Sequence, residues 1–79
     1  MAPTIHDEGY ALQIYTHDHS PAHAHVKRDG REARIALAGP DGRPYALSSG
    51  LDPRELARGL ELVAKHQAQL FEIWRTIHG

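Results

Sequence analysis

The sequence contains no cysteine, which excludes disulfide bonds, thiolate metal ligands and a cysteine nucleophile. It has no apolar run long enough to cross a membrane, and its first residues lack the basic and apolar segments of a signal peptide. Neither sign of charge predominates, because nine lysines and arginines face ten aspartates and glutamates. Such a balance is not typical of proteins that grip nucleic acid by neutralising phosphates. We therefore expect a cytoplasmic protein without membrane contact.

The length and composition favour one small folded domain. The chain has 79 residues, of which 41% are hydrophobic and 24% are charged. This composition supports a folded core, and a chain of this length builds a single core. We expect one domain over residues 1–79, with a sheet region at about residues 9–47 and a helix at about residues 52–78. A small open sheet leaves edges and a polar face exposed, which favours a protein partner or self-association.

The first half of the chain has the alternating pattern of β-strands. Residues 10–17 alternate between two faces, as do residues 22–28 and residues 31–37. Residues 43–47 are a candidate fourth strand at the sheet edge, because the proline at position 44 cannot donate to a central ladder. The sheet is therefore predicted to be antiparallel with three or four strands.

The turn at Asp29-Gly30 predicts the register of a hairpin. Asp-Gly between two alternating segments is typical of a two-residue turn in which both residues have positive φ. This turn pairs His25 with Arg34 and His23 with Ala36. One face of the hairpin is then apolar, with Ala22, Ala24, Val26, Ala33, Ile35 and Leu37. The opposite face is polar, with His23, His25, Lys27, Glu32 and Arg34.

The second half of the chain is predicted to be helical from Asp52 onward. Asp52 can cap the first turn, and Pro53 has a suitable φ for the first helical position. Apolar residues then recur at three- and four-residue steps, and this stripe contains Leu56, Leu60, Val63, Leu70, Trp74 and Ile77. Gly59 and Gln67 interrupt the pattern. We expect an α+β fold in which one long C-terminal helix packs on one face of the sheet.

Histidine is the residue present in excess. There are seven, and four of them lie between His17 and His25. His23 and His25 are two residues apart on one strand, so both project from the same sheet face. Three imidazoles can bind zinc and leave an open coordination position. The sequence therefore indicates a site for a divalent metal such as zinc, formed by His19, His23 and His25, with His17 and Asp18 as further candidate ligands.

Two other interpretations of the histidines remain open at this point. Arg34 is predicted opposite His25, and its fixed charge disfavours a cation and favours an anion such as phosphate or an RNA backbone. His19, His23, His25 and Arg34 would then be the catalytic candidates of a phosphate-directed hydrolase or ribonuclease. Alternatively, the histidines simply cover the exposed face of a one-sided sheet. The sequence does not decide whether the protein is an enzyme.

Several stretches resemble a family of small bacterial proteins known as domain of unknown function 4160. The similarity covers Pro3-Thr4-Ile5, Gly9-Tyr10, Tyr15, residues 18–26, residues 33–37, Ser49-Gly50-Leu51, Glu55-Leu56, His66 and Trp74. The characteristic stretch of the family is an acidic residue, His, any residue, Pro, Pro, His, an aromatic or aliphatic residue, and His. This chain departs from it at Ala22 and Ala24 but keeps every histidine.

The resemblance implies a partner more than a reaction. Members of the family have no settled biochemical activity, are similar in size to components of toxin-antitoxin modules, and often lie beside another small uncharacterised gene. We therefore expect a protein-interaction component of a toxin-antitoxin-like two-gene module. A metal-binding or phosphate-directed hydrolase that uses the histidine cluster is the alternative.

Overall fold

The computed structural model describes residues 3–79, so Met1 and Ala2 of the predicted domain lie outside the described residues. Within residues 3–79 the chain forms five strands followed by two helices: β1 (Ile5–Asp7), β2 (Tyr10–Gln13), β3 (His23–Arg28), β4 (Arg31–Ala36), β5 (Tyr45–Ser49), α1 (Pro53–Lys65) and α2 (Gln67–His78). The strands form one antiparallel sheet in the order β1-β2-β3-β4-β5. The predicted α+β class is confirmed, whereas the predictions of three or four strands and of one long helix were wrong.

The central hairpin confirms the predicted register. Asp29 and Gly30 have φ of 49° and 78°, as a two-residue hairpin turn requires. His25 pairs with Arg34, and His23 pairs with Ala36. Turn chemistry and side-chain alternation both act locally, so the sequence alone determines this pairing.

The strand missed by the sequence analysis is β1, which forms a second hairpin with β2. The turn residues Glu8 and Gly9 have φ of 51° and 80°. Glutamate rarely adopts a left-handed conformation, so Glu-Gly is not a hairpin signal. The turn is held by distant contacts, because the Arg28 Nη1 group donates to the Glu8 carbonyl oxygen over 2.9 Å and Arg58 forms a salt bridge with the Glu8 carboxylate.

Strands β2 and β5 also differ from their predicted bounds. β2 ends at Gln13 instead of continuing to residue 17, because the Tyr15 N–H donates to Asp18 Oδ2 over 2.9 Å and the chain turns there. β5 lies two residues later than predicted, since the Arg43 carbonyl oxygen accepts from the Gly39 N–H over 2.7 Å and belongs to the preceding turn. The pairing of β4 with β5 shifts by one residue at Leu47, which is a bulge.

The predicted long helix is divided at His66, whose φ of −102° and ψ of 16° depart from helical values. The side chain of Asp7 in β1 holds this junction. Asp7 Oδ2 accepts hydrogen bonds from His66 Nε2 over 2.8 Å and from Lys65 Nζ over 2.9 Å. Hydrogen bonds from Lys65 and then His66 lower the pKa of the Asp7 carboxyl below its usual range. The break therefore follows from a contact with a strand 59 residues away.

The core lies between the apolar sheet face and the helices. Its largest fully buried side chains are Leu12, Val26, Ile35, Leu37, Leu62, Val63 and Leu70. A Cβ added to Gly59 would lie 3.3 Å from Val26 Cγ1 and 3.7 Å from Ile35 Cδ1, so glycine permits the close approach of α1 to the sheet. Neither α1 nor α2 is long and apolar enough to span a bilayer, as judged over the described residues.

Gln67 interrupts the apolar stripe for a structural reason that can be tested. Its Nε2 donates to the carbonyl oxygens of Leu37 over 2.7 Å and of Gly42 over 2.9 Å. Gln67→Leu completes the stripe but removes this donor, so we expect the free energy of unfolding to fall by about 1–3 kcal/mol. Urea unfolding followed by Trp74 fluorescence measures the change. Gln69→Leu, at an exposed position of α2, is the control. A Gln67→Leu variant as stable as wild type would contradict this role.

Candidate metal centre

The two histidines of β3 are buried, although they project from the polar face of the sheet. His23 is 6% exposed and His25 is 8% exposed. The Tyr15 ring stacks on His25 with centroids 4.0 Å apart, and the Trp74 ring lies 5.7 Å from the His23 ring. The interpretation that these histidines cover an exposed sheet face is therefore wrong for His23 and His25.

Asp18 reaches both histidines from the loop that follows β2. Its Oδ1 lies 2.9 Å from His25 Nε2 and 3.4 Å from His23 Nε2, and its side chain is 9% exposed. The N–H of Tyr15 donates to the other carboxylate oxygen and fixes the loop. The potential ligand atoms of Asp18, His23 and His25 all lie within 4.8 Å of one another. We call these three residues the histidine-aspartate cluster.

The other ring nitrogen of each histidine is held by an acceptor. His23 Nδ1 lies 2.8 Å from the Pro21 carbonyl oxygen, and because a carbonyl only accepts, Nδ1 carries the hydrogen. A neutral His23 then presents the lone pair of Nε2 toward Asp18. His25 Nδ1 lies 2.8 Å from Glu32 Oε2, so His25 has a carboxylate at each nitrogen. Carboxylate oxygens accept hydrogen bonds, so His25 is held by acceptors at both of its ring nitrogens.

The carboxylate of Asp18 is stabilised in its charged form. Burial by itself raises the pKa of Asp18, but the hydrogen bonds with His25 and the Tyr15 N–H, together with the electrostatic effect of His25 and His23, outweigh it. The pKa of Asp18 therefore lies below its usual range. An anionic oxygen that faces two imidazole nitrogens is a suitable environment for a proton or a metal ion.

The dimensions and donor types of the cluster fit a transition metal. Metal bonds of about 2.0–2.2 Å to nitrogen and carboxylate oxygen place two ligands of one ion about 3–4 Å apart. The distances from Asp18 Oδ1 to His25 Nε2 and His23 Nε2, 2.9 and 3.4 Å, are close to that spacing. Two imidazoles and one carboxylate leave further coordination positions for water or a substrate.

A cavity of about 340 Å³ adjoins the cluster. The loop of residues 17–21 lines one side, and His23, Arg34 and Leu47 line the other. Arg34 pairs with His25 in the sheet, as predicted, but its Nε donates to Ser48 Oγ in β5 over 3.0 Å. The guanidinium is thus anchored toward β5.

The structure brings together some of the predicted site residues and separates others. Asp18, His23 and His25 form the cluster, whereas His17 and His19 are exposed and line the cavity without belonging to that group.

Glu32 and Trp74 lie near the cluster and were not among the predicted site residues. Glu32 contacts His25 Nδ1, and the predicted register already placed it on the same sheet face, so the register could have identified it. Trp74 had no such signal, because the helical pattern assigned it to the core stripe.

The basic residues at the hairpin tip are largely neutralised. Arg28 and Arg31 both pair with Glu55 of α1, and Lys27 Nζ lies 3.9 Å from Glu32. A phosphate backbone would have to compete with these carboxylates, which weakens the case for RNA binding at the tip.

The fold and the cluster define a class of protein: a small α+β domain with two histidines and a carboxylate buried beside a meander sheet. The family model described as Domain of unknown function (DUF4160) matches residues 9–75, and the chain therefore belongs to this family. Neither a curated protein nor a solved structure matches the chain. The matched segment contains the whole histidine-aspartate cluster and Arg34.

The lowered pKa of Asp18 gives a pH-dependent prediction. A carboxyl whose pKa is lower in the folded state stabilises the fold above its unfolded pKa, and this contribution is lost as the pH falls through the folded pKa. We expect Asp18→Asn to cost about 1–3 kcal/mol at about pH 6, and the difference from wild type to shrink toward about pH 3. Urea unfolding in chelator measures both proteins across this range, with Glu72→Gln on α2 as the control. A difference that does not change with pH would contradict this prediction.

Proposed function

We propose that this protein binds a divalent transition metal through Asp18, His23 and His25, and that the bound metal serves hydrolytic chemistry at the adjoining cavity. Zinc fits this set of ligands, since catalytic zinc sites commonly combine three protein ligands from histidine and carboxylate with an open position. Iron(II) also uses two histidines and one carboxylate, so the identity of the metal is part of the test.

One observation carries the proposal. The Nε2 atoms of His23 and His25 both face Asp18, while the Nδ1 atom of each ring lies beside a hydrogen-bond acceptor. Metal-bound histidines characteristically donate their second N–H to a backbone carbonyl or a carboxylate, which fixes the ring and its tautomer. Pro21 and Glu32 supply these two acceptors.

A metal at this position would activate a water molecule. A divalent ion lowers the pKa of bound water toward neutrality and so supplies a hydroxide nucleophile. The side chains of the cavity would then orient the substrate, and His17 and His19, which line it, are the candidate general acid or base.

Elemental analysis of untagged protein, purified without chelator, tests the metal site. We expect about one transition metal ion per chain in wild type, and its loss in Asp18→Asn and in His25→Gln. Glu32→Ala should weaken affinity by about 10–100-fold, because Glu32 contacts His25 without being a ligand. Trp74 is the only tryptophan and lies 5.7 Å from His23, so its fluorescence reports titration with a quenching ion.

The control variant for this experiment is His6→Gln, which removes an exposed histidine of β1. His19→Ala tests separately whether His19 contributes a ligand, as the sequence predicted. Melting temperatures measured in chelator separate loss of metal from loss of fold. Wild type that is purified without metal, and takes up none on titration, would refute the proposal.

A second candidate function is the protein-interaction role in a toxin-antitoxin-like two-gene module. The observation that favours it is the outer strand β5, in which all five residues are exposed and none is charged. Tyr45 is 43% exposed and Leu47 is 38% exposed. An uncharged edge offers its backbone groups to another strand. The opposite edge differs, because Asp7 in β1 and Glu8 in the turn that follows are engaged in salt bridges. We propose that a strand of a partner protein pairs with β5.

Co-expression with the product of the adjacent gene tests this second candidate. We expect the two untagged proteins to copurify, and Tyr45→Lys together with Leu47→Lys to lower the recovered partner by about tenfold, because charge at an edge blocks strand addition. Gln69→Lys on α2 is the matched control. An undiminished complex in the double variant would exclude β5 as the contact surface.

A further inference from the structure

Arg34 differs from the other basic residues of the central hairpin. Lys27, Arg28 and Arg31 each have a carboxylate within 4.0 Å. Among residues 3–79, no carboxylate lies within that distance of Arg34. Its one side-chain hydrogen bond runs from Nε to Ser48 Oγ. Both terminal NH₂ groups of a planar guanidinium thus remain as donors, in a geometry that matches two oxygens of one anion.

The position of Arg34 relates it to the histidine-aspartate cluster. It is the cross-strand partner of His25 and lines the same cavity as Asp18 and His23. The anchoring bond to Ser48 reduces the freedom that the side chain loses on binding. A ligand in this cavity can therefore contact the open coordination side of the metal-binding residues and the positive charge of Arg34 at the same time.

Metal binding changes the charge of this cavity. A divalent ion held by Asp18, His23 and His25 would add positive charge beside the cavity that Arg34 lines. Arg34 cannot lose its own charge in response. The loaded cavity therefore attracts an anion more strongly than the empty one.

We propose that Arg34 and the metal together form an oxyanion-binding subsite, so that the ligand of this cavity carries a phosphate or carboxylate group. This inference rests on the proposed metal function and names the chemical class of its substrate. One anion oxygen occupies the open metal position while two others, or the second carboxylate oxygen, accept from Arg34. Binding of metal and oxyanion is then coupled, and each raises the affinity for the other by the same factor.

Calorimetric titration of zinc-loaded, untagged protein with inorganic phosphate tests the subsite, with acetate as the carboxylate arm. We expect Arg34→Gln to weaken phosphate binding by about 10–100-fold, as the loss of charged hydrogen bonds predicts. The phosphate affinity of Arg34→Lys should lie between those of wild type and Arg34→Gln, because lysine keeps the positive charge but lacks the paired donors of the planar guanidinium. The control Arg43→Gln changes an exposed arginine in the turn before β5 and should bind as wild type does. Zinc content is measured for every variant.

The outcomes separate this inference from the metal proposal. Equal phosphate affinity in wild type and Arg34→Gln, at equal zinc content, would overturn the subsite and leave the metal site intact. Equal affinity in the loaded and chelated wild type would overturn the coupling. If wild type takes up no metal, the phosphate affinities of wild type and Arg34→Gln are compared in metal-free protein. Loss of phosphate binding in Arg34→Gln then supports an anion site at Arg34. Equal binding by the two proteins, or no binding by either, overturns that site. Acetate bound more tightly than phosphate would assign the carboxylate class.

Discussion

Both oxygens of the Asp18 carboxylate are used, one by the backbone N–H of Tyr15 and the other by His25. The first contact ends β2 and turns the chain back toward β3. The second places a negative charge against a nearly buried imidazole. Because a buried carboxylate is costly unless it is paired, the histidines stabilise the loop in this position. Loop, strand end and cluster thus depend on one carboxylate.

The same arrangement gives the sheet two covered faces of different chemistry. α1 covers the apolar face, where Gly59 permits close contact with Val26 and Ile35. On the other face, the Tyr15 ring stacks on His25. Burial requires each ring nitrogen to have a hydrogen-bonding partner, and this requirement fixes the orientation of the His23 and His25 rings. Arg34 lines the cavity on this face together with His23 and Asp18, so a positive charge lies beside the buried histidines.

Much of the fold could be predicted from local patterns. The Asp29-Gly30 turn fixed the pairing of His25 with Arg34, and the structure has that pairing. Asp52 caps α1 as predicted, and Glu55 returns a hydrogen bond from its side chain to complete a capping box. The sequence also placed His23 and His25 on one face and named Asp18 as a candidate ligand. The burial of His23 and His25 could not be predicted, because the rings that cover them, Tyr15 and Trp74, belong to a loop and to α2.

The features that sequence analysis missed depend on long-range contacts. The Glu8-Gly9 turn is stabilised by Arg58, 50 residues away, and nothing in the local sequence of Glu8 indicates a hairpin. The helix break at His66 likewise follows from Asp7. Gln67 looked like a defect in an apolar stripe until its amide was seen to donate to the carbonyl oxygens of Leu37 and Gly42.

The sequence by itself determined the fold class, the central hairpin with its register and the start of the helical half. Turn conformation, side-chain alternation and helix capping involve residues only a few positions apart, so the local sequence specifies them. Only the tertiary structure decided that β1 joins the sheet, that the helix divides, and that Asp18, His23 and His25 converge while His17 and His19 stay exposed. These features depend on salt bridges, hydrogen bonds and ring contacts between distant segments, which form only when the chain is packed.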